Sequence, residues 1–347
     1  MFGPFRINYD EQNWKMLIKN LIYDYKSFDV NERVQIIDDV FYLANNQRIS
    51  ITTALDVIQY IPNEDKFLPW KFLVNNIKRV IGFIEEDSLI YSNLRDYLIR
   101  LIKPTYHKLK WGESLYETID EKLIRILVVD LLCSLDYEDC VENSVKQLVD
   151  SIKINVYNIP LHLSKSIYCT AIRYTGINEW LYLWKYYTEQ AETSPMKDSL
   201  LYSLSCSSHI WILNLFLRKL VYENSIPIDE LPIVFEYISQ NPVGKYITWN
   251  HISQDYQTFY NKIGNDPELF LKILQVSTKE LKFKYEIKQF YDFVKEIGTE
   301  NITFNYSENN KNKLLLNIAS RINKYAAWKN KNANDLNRWL IKENKRA

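Results

Sequence analysis

The chain has 347 residues with 43 basic and 43 acidic side chains, so no net charge draws it to nucleic acid or to an anionic membrane surface. Its 47% apolar content is ample for a core and excludes a disordered chain. Length admits two domains or one long helical array, and only seven glycines, well under the usual ~7%, disfavour sheets and phosphate loops and favour paired helices.

Residues 1–9 hold the only strand candidate, Phe5-Arg6-Ile7-Asn8-Tyr9. Helical periodicity then takes over. Asp10 reads as an N-cap with Glu11 in the first turn, and Trp14, Leu17, Ile18, Leu21 and Ile22 form one apolar stripe. Ile36, Ile37, Val40, Phe41 and Ala44 repeat the pattern across Arg33–Asn45. Between Ile119 and Leu135 the apolar residues spread beyond one stripe, which predicts a helix buried on more than one side. Further helices are expected near 138–152, 160–174, 177–192, 197–222, 229–240, 246–262 and 268–296, and the last two near 308–328 and 333–344. Prolines at 62, 69, 104, 160, 195, 227, 232, 242 and 267 fall almost all between these stripes. The polar stretch Gly298–Asn312 is expected to be an exposed loop, and it carries two glycosylation sequons, at Asn301 and Asn305.

No apolar run reaches the length of a membrane span. Met1–Pro4 has no signal-peptide core and the tail is polar, so the chain alone is expected to have neither leader nor anchor. Catalytic patterns are missing too. The histidines at 107, 162, 209 and 251 include no two spaced four apart, so no helical His-Glu-x-x-His site exists. Cys206 and His209 are three apart, a spacing that suits a core cysteine beside a partly exposed histidine better than a metal pair. Glu85-Glu86-Asp87 reads as a solvated helix end. Of Asp38-Asp39, one is expected to face inward as a charge partner between two helices. The cysteines at 133, 140, 169 and 206 fit no zinc or redox spacing, and the residues alone leave four buried thiols as the default.

Several segments together resemble one family. Arg6-Ile7-Asn8-Tyr9-Asp10 with Trp14 is similar to a Tyr-Arg-x-Asn-Tyr-Asp-x-x-x-Trp junction. Arg33-Val34-Gln35-Ile36-Ile37-Asp38-Asp39-Val40-Phe41-Tyr42-Leu43-Ala44 resembles an Arg-x-x-Leu-x-Asp-Asp-x-Phe-x-Leu-Ala helix, with Ile36 at the Leu position. Tyr60, Glu64, Pro69 and Trp70 follow, then Tyr168-Cys169 with Gly176 and Trp180, Asn241-Pro242-Val243-Gly244 with Trp249, and Trp328 and Trp339. These are segments of the C-terminal helical domain of peptidase family M1 zinc aminopeptidases, the aminopeptidase N and endoplasmic-reticulum aminopeptidase group. Gln47 replaces a glycine common after the Arg33 helix, and Tyr256 stands where a second Trp is usual. Residues 77–83 lack the Tyr-Lys pair with which some endoplasmic-reticulum members hold a peptide carboxy terminus, so length-measuring trimming does not carry over.

The resemblance implies an all-α fold, a curved superhelical array of paired antiparallel helices (HEAT-like or ARM-like) forming a bowl over 10–347. Residues 1–9 would be the last strand of a preceding β-domain. It implies disulfides Cys133–Cys140 and Cys169–Cys206, hence an extracellular or cell-surface parent protein. Zinc would belong to the parent's catalytic domain, with no cofactor in this chain, which would enclose the peptide substrate without cutting it. The catalytic domain and the peptide would be its partners, with no nucleic acid and no membrane segment. Gly264, Asn265, Asp266 and Phe270 resemble a region that approaches the substrate cavity. The alternative is a stand-alone helical scaffold derived from an aminopeptidase, with a protein bound on its concave face.

Overall fold

A computed structural model describes residues 5–112, 116–154, 159–190, 196–223, 225–254, 256–299 and 308–345. The fold is all-α, and the described residues form α-helices and short 3-10 turns with no strand. The chain divides into two compact units, one made of Met1–Tyr137 with Tyr325–Ala347 and the other of Glu138–Lys324.

The first unit contains α1 (Glu11–Asp24), α2 (Val30–Asn45), α3 (Ile51–Val57), α4 (Phe67–Ile84), α5 (Ser88–Leu109) and α6 (Ile119–Ser134). Their starts follow local chemistry. Asp29 and Glu32 form a reciprocal capping box on α2, Thr118 and Glu121 another on α6, and Asp10, Ser50 and Asp87 cap α1, α3 and α5. Helix α4 has no side-chain cap of its own. Asp120, from the start of α6, accepts from the Phe67 N–H at 2.9 Å instead. That bond is the leading reason its carboxyl is held below the ordinary aspartate value. Helix α2 packs on α3 and α4, and α6 on α4 and α5. Pro104 lies inside α5 rather than between stripes. Buried Leu98, Ile102, Thr105 and Tyr106 hold the helix around it, so packing overrides the local penalty of about 3 kcal/mol.

The C-cap of α2 forms without glycine. The Gln47 N–H donates to the Ala44 carbonyl and that of Arg48 to Leu43, a Schellman arrangement with Gln47 at φ 60°. Asp136 takes the same left-handed position after α6.

The second unit contains α7 (Glu138–Ile154), α8 (Leu161–Tyr174), α9 (Ile177–Gln190), α10 (Lys197–Leu204), α11 (Ile210–Val221), α12 (Leu231–Gln240), α13 (Gly244–Gln254), α14 (Tyr256–Lys262), α15 (Pro267–Ser277) and α16 (Lys284–Thr299). Helix α8 packs on α7 and α10, and α12 on α13 and α15. Where the periodicity predicts one helix over 197–222, the chain breaks at Ser205–His209. It does so because the freed carbonyls of Ser205 and Ser207 both accept from the Asn241 amide at 2.8 Å.

Helix α17 (Glu308–Asn344) is continuous where two helices were expected, and its later half belongs to the first unit. Trp328 is fully buried there and stacks on Phe83 at 4.6 Å, while Trp339 meets Tyr97 edge-on at 5.0 Å and donates to Asp56. Among the described residues no helix is long and apolar enough to cross a membrane. Asn301 and Asn305 lie outside the described residues.

Candidate functional site

The first candidate site is the junction where the chain enters α1. Residues 5–10 carry no regular secondary structure, yet they are tied down. The Arg6 guanidinium lies between Asp38 and Asp39, bonding the latter at 3.0 Å, and sits 4.6 Å above the Tyr42 ring. The Ile7 N–H donates to the other Asp39 oxygen at 3.1 Å. Asn8 accepts from the Trp14 indole, and Tyr9 packs edge-on against that indole at 5.1 Å. Partial burial works against the Arg6 charge, but the two carboxylates outweigh it and hold its pKa above the ordinary value. Asp39 is the inward-facing member of the pair. Its partners lie in the incoming segment, not on a second helix as expected, so it anchors chain direction rather than a helix crossing.

A buried polar cluster lies nearby in sequence and joins two of the family-like motifs. Arg33 bonds Glu64 through two parallel contacts of 2.7 and 2.9 Å, with both side chains almost wholly buried. The Glu64 carboxylate also accepts from the Tyr60 hydroxyl and from the Asp65 and Lys66 N–H groups, and its carbonyl accepts from the Trp70 indole. Arg33 in turn donates to the Phe28 carbonyl at 2.6 Å. Burial opposes the Arg33 charge and Glu64 restores it, for a net upward shift, while burial pushes the Tyr60 hydroxyl up. A carboxylate holding five donors is saturated and is a structural key, not a general base.

In the second unit Cys169 and Cys206 form a disulfide with their Cα atoms 5.2 Å apart. Cys206 is therefore not available as a metal partner for His209, which tilts against Trp211. Cys133 and Cys140 are also oxidised. Asn241 stiffens the same corner, and Gly244 is required there because a Cβ would fall 2.1 Å from the Ile238 carbonyl oxygen. The following Lys245 is buried beside Glu286 at 3.5 Å, and the Glu286 carboxylate closes the start of α16 by accepting from Lys282 and Phe283.

The four residues expected near substrate have structural work. Gly264 (φ 80°) and Asn265 (φ 56°) make a left-handed reversal, and Asp266 caps α15 through the Glu268 and Leu269 N–H groups. Phe270 is 2% exposed and packs on Phe259 and Tyr260. Its place in an i, i+3 apolar row with Ile273 was the signal for burial. His107 shares a hydrogen bond with Tyr137 and His251 is boxed by aromatic rings, and among the described residues no group of three ligand-type side chains could hold a metal.

The ERAP1-like C-terminal domain family matches residues 1–309. The chain is 26% identical to chicken (Gallus gallus) aminopeptidase Ey over 84% of its length, 26% identical to human (Homo sapiens) aminopeptidase N over 85%, and 27% identical to pig (Sus scrofa) glutamyl aminopeptidase over 85%. It spans only 30–31% of the length of these relatives. The chain belongs to the ERAP1-like C-terminal domain family.

Proposed function

We propose that this chain is the non-catalytic C-terminal domain of a zinc-dependent aminopeptidase, which lies over the catalytic domain and encloses the peptide substrate. The observation that carries the reading is the junction at residues 5–10. It is fastened by Arg6, Asp38 and Asp39, and its sequence resembles the junction at which this family's C-terminal domain receives the chain from a β-domain. In this reading residues 1–9 are the last strand of that β-domain, and residues 10–347 supply binding surface and water exclusion. Zinc and its ligands belong to the catalytic domain. The Cys169–Cys206 bond supports an extracellular or cell-surface parent, and the two remaining cysteines are assigned to each other as Cys133–Cys140.

Two measurements test the assignment. The isolated chain, given zinc and aminoacyl chromogenic substrates, should show background turnover only, and chelator-sensitive turnover that co-purifies with it would overturn the non-catalytic role. The transcript upstream should encode, in frame, a His-Glu-x-x-His segment. A complete upstream region without one would instead support a stand-alone helical scaffold.

A further inference from the structure

The second unit contains an ionisable group that neither the junction nor the disulfide corner uses. His251, on α13, lies edge-to-face with Tyr222 at 5.7 Å and with Phe259 at 5.9 Å, and tilts against Phe235 at 6.5 Å. Its Nε2 is buried and has no hydrogen-bond partner. From the end of α11 the ring faces Tyr222, from α12 Phe235, and from α14 Phe259. From α14 the Lys262 ammonium lies 5.9 Å from the Tyr222 ring centre and opposes a second cation. Phe259 is fully buried and also touches Phe235 and Phe270, so it is the main plug that seats the seven-residue α14. Immediately beyond α14, the Gly264–Asn265 reversal separates it from α15.

We propose that His251 is an acid-sensitive latch for α14: a proton gained at its acceptorless Nε2 puts a cation among three rings, unseats Phe259 and releases Tyr256–Lys262. Burial holds His251 below its ordinary value, and no carboxylate among the described residues counters this. The opened state therefore binds the proton more readily than the closed one. The latch is closed above the ordinary histidine value of about 6.5 and weakens as pH falls below it. The inference does not depend on the aminopeptidase reading.

Hydrogen exchange of the full chain at pH 7.4 and 5.5, corrected for intrinsic rates, tests the latch, together with an NMR titration of the His251 ring. The expected result is a ring that titrates below 6.5 and a loss of protection at pH 5.5 confined to α14 and its flanks. His251→Phe, neutral at both pH values, should keep the protection. A ring titrating at or above 6.5, as cation–π stabilisation would give, overturns the proposal. So does pH-independent protection of α14 in the wild type, or an acid-induced loss that persists in His251→Phe. If His251→Phe does not fold, the wild-type titration and exchange decide the question by the same criteria.

Discussion

The two units use similar helices but secure their interiors differently. The first is keyed by a buried ion pair, Arg33–Glu64, that joins the start of α2 to the turn before α4. The second is keyed by a covalent bond, Cys169–Cys206, beside an asparagine that ties off two helix-end carbonyls. An ion pair of this kind specifies which groups must meet, since either partner left alone is costly, but it adds little over a well-packed apolar pair. A disulfide specifies less and stabilises chiefly by restricting the unfolded chain. The units should therefore respond to different insults.

Removing one charge from the first unit gives the largest expected effect. Arg33→Met leaves the Glu64 carboxylate buried without its cation and should cost about 3–5 kcal/mol, read as a lower urea midpoint and lost exchange protection in residues 30–84. Arg33→Met with Glu64→Leu should recover much of that loss. A single substitution as mild as a surface ion-pair deletion would show that the pair is not the key. In the second unit, Cys169→Ala with Cys206→Ala should cost about 4 kcal/mol for opening a loop of this size, confined to the second unit's exchange protection. An equal loss in the first unit would contradict the two-unit division. The smallest effect sharpens the comparison by improving a unit: Gln47→Gly relieves the left-handed residue and should stabilise the first unit by about 1 kcal/mol. No gain would mean that the Lys331 bond to the Gln47 carbonyl depends on the glutamine backbone as it stands.

The helical fold was legible because its causes are local: apolar stripes, caps and scarce glycine act within a few residues. Residues of the buried key were legible as motifs, but their pairing was not. Arg33 and Glu64 are 31 positions apart, and no periodicity links them. That one of Asp38 and Asp39 faces inward was legible, but not that it is Asp39 nor that its partner is Arg6, which lies in a segment without regular structure. The break in 197–222 escaped because its cause, Asn241, acts from a distant loop. Residues 329–332 looked like an interruption of α17 only because they are polar. There the Asn332 side chain is buried and donates back to the Trp328 carbonyl, so the helix continues. The left-handed backbone of Gly264 and Asn265 was not legible either, because a resemblance ranks positions without saying what each one touches.

The placement of Trp328, Leu336, Trp339 and Leu340 has a consequence for synthesis. These side chains complete the first unit, but they leave the ribosome only after all of Glu138–Lys324 has been made. At about 5–20 residues per second that delay is roughly ten to forty seconds. During it, Phe83 and Tyr97 lack their aromatic partners while the second unit is being translated. The second unit's sequence is thus complete before the first unit's, whose apolar face stays uncovered until Trp328 to Leu340 emerge.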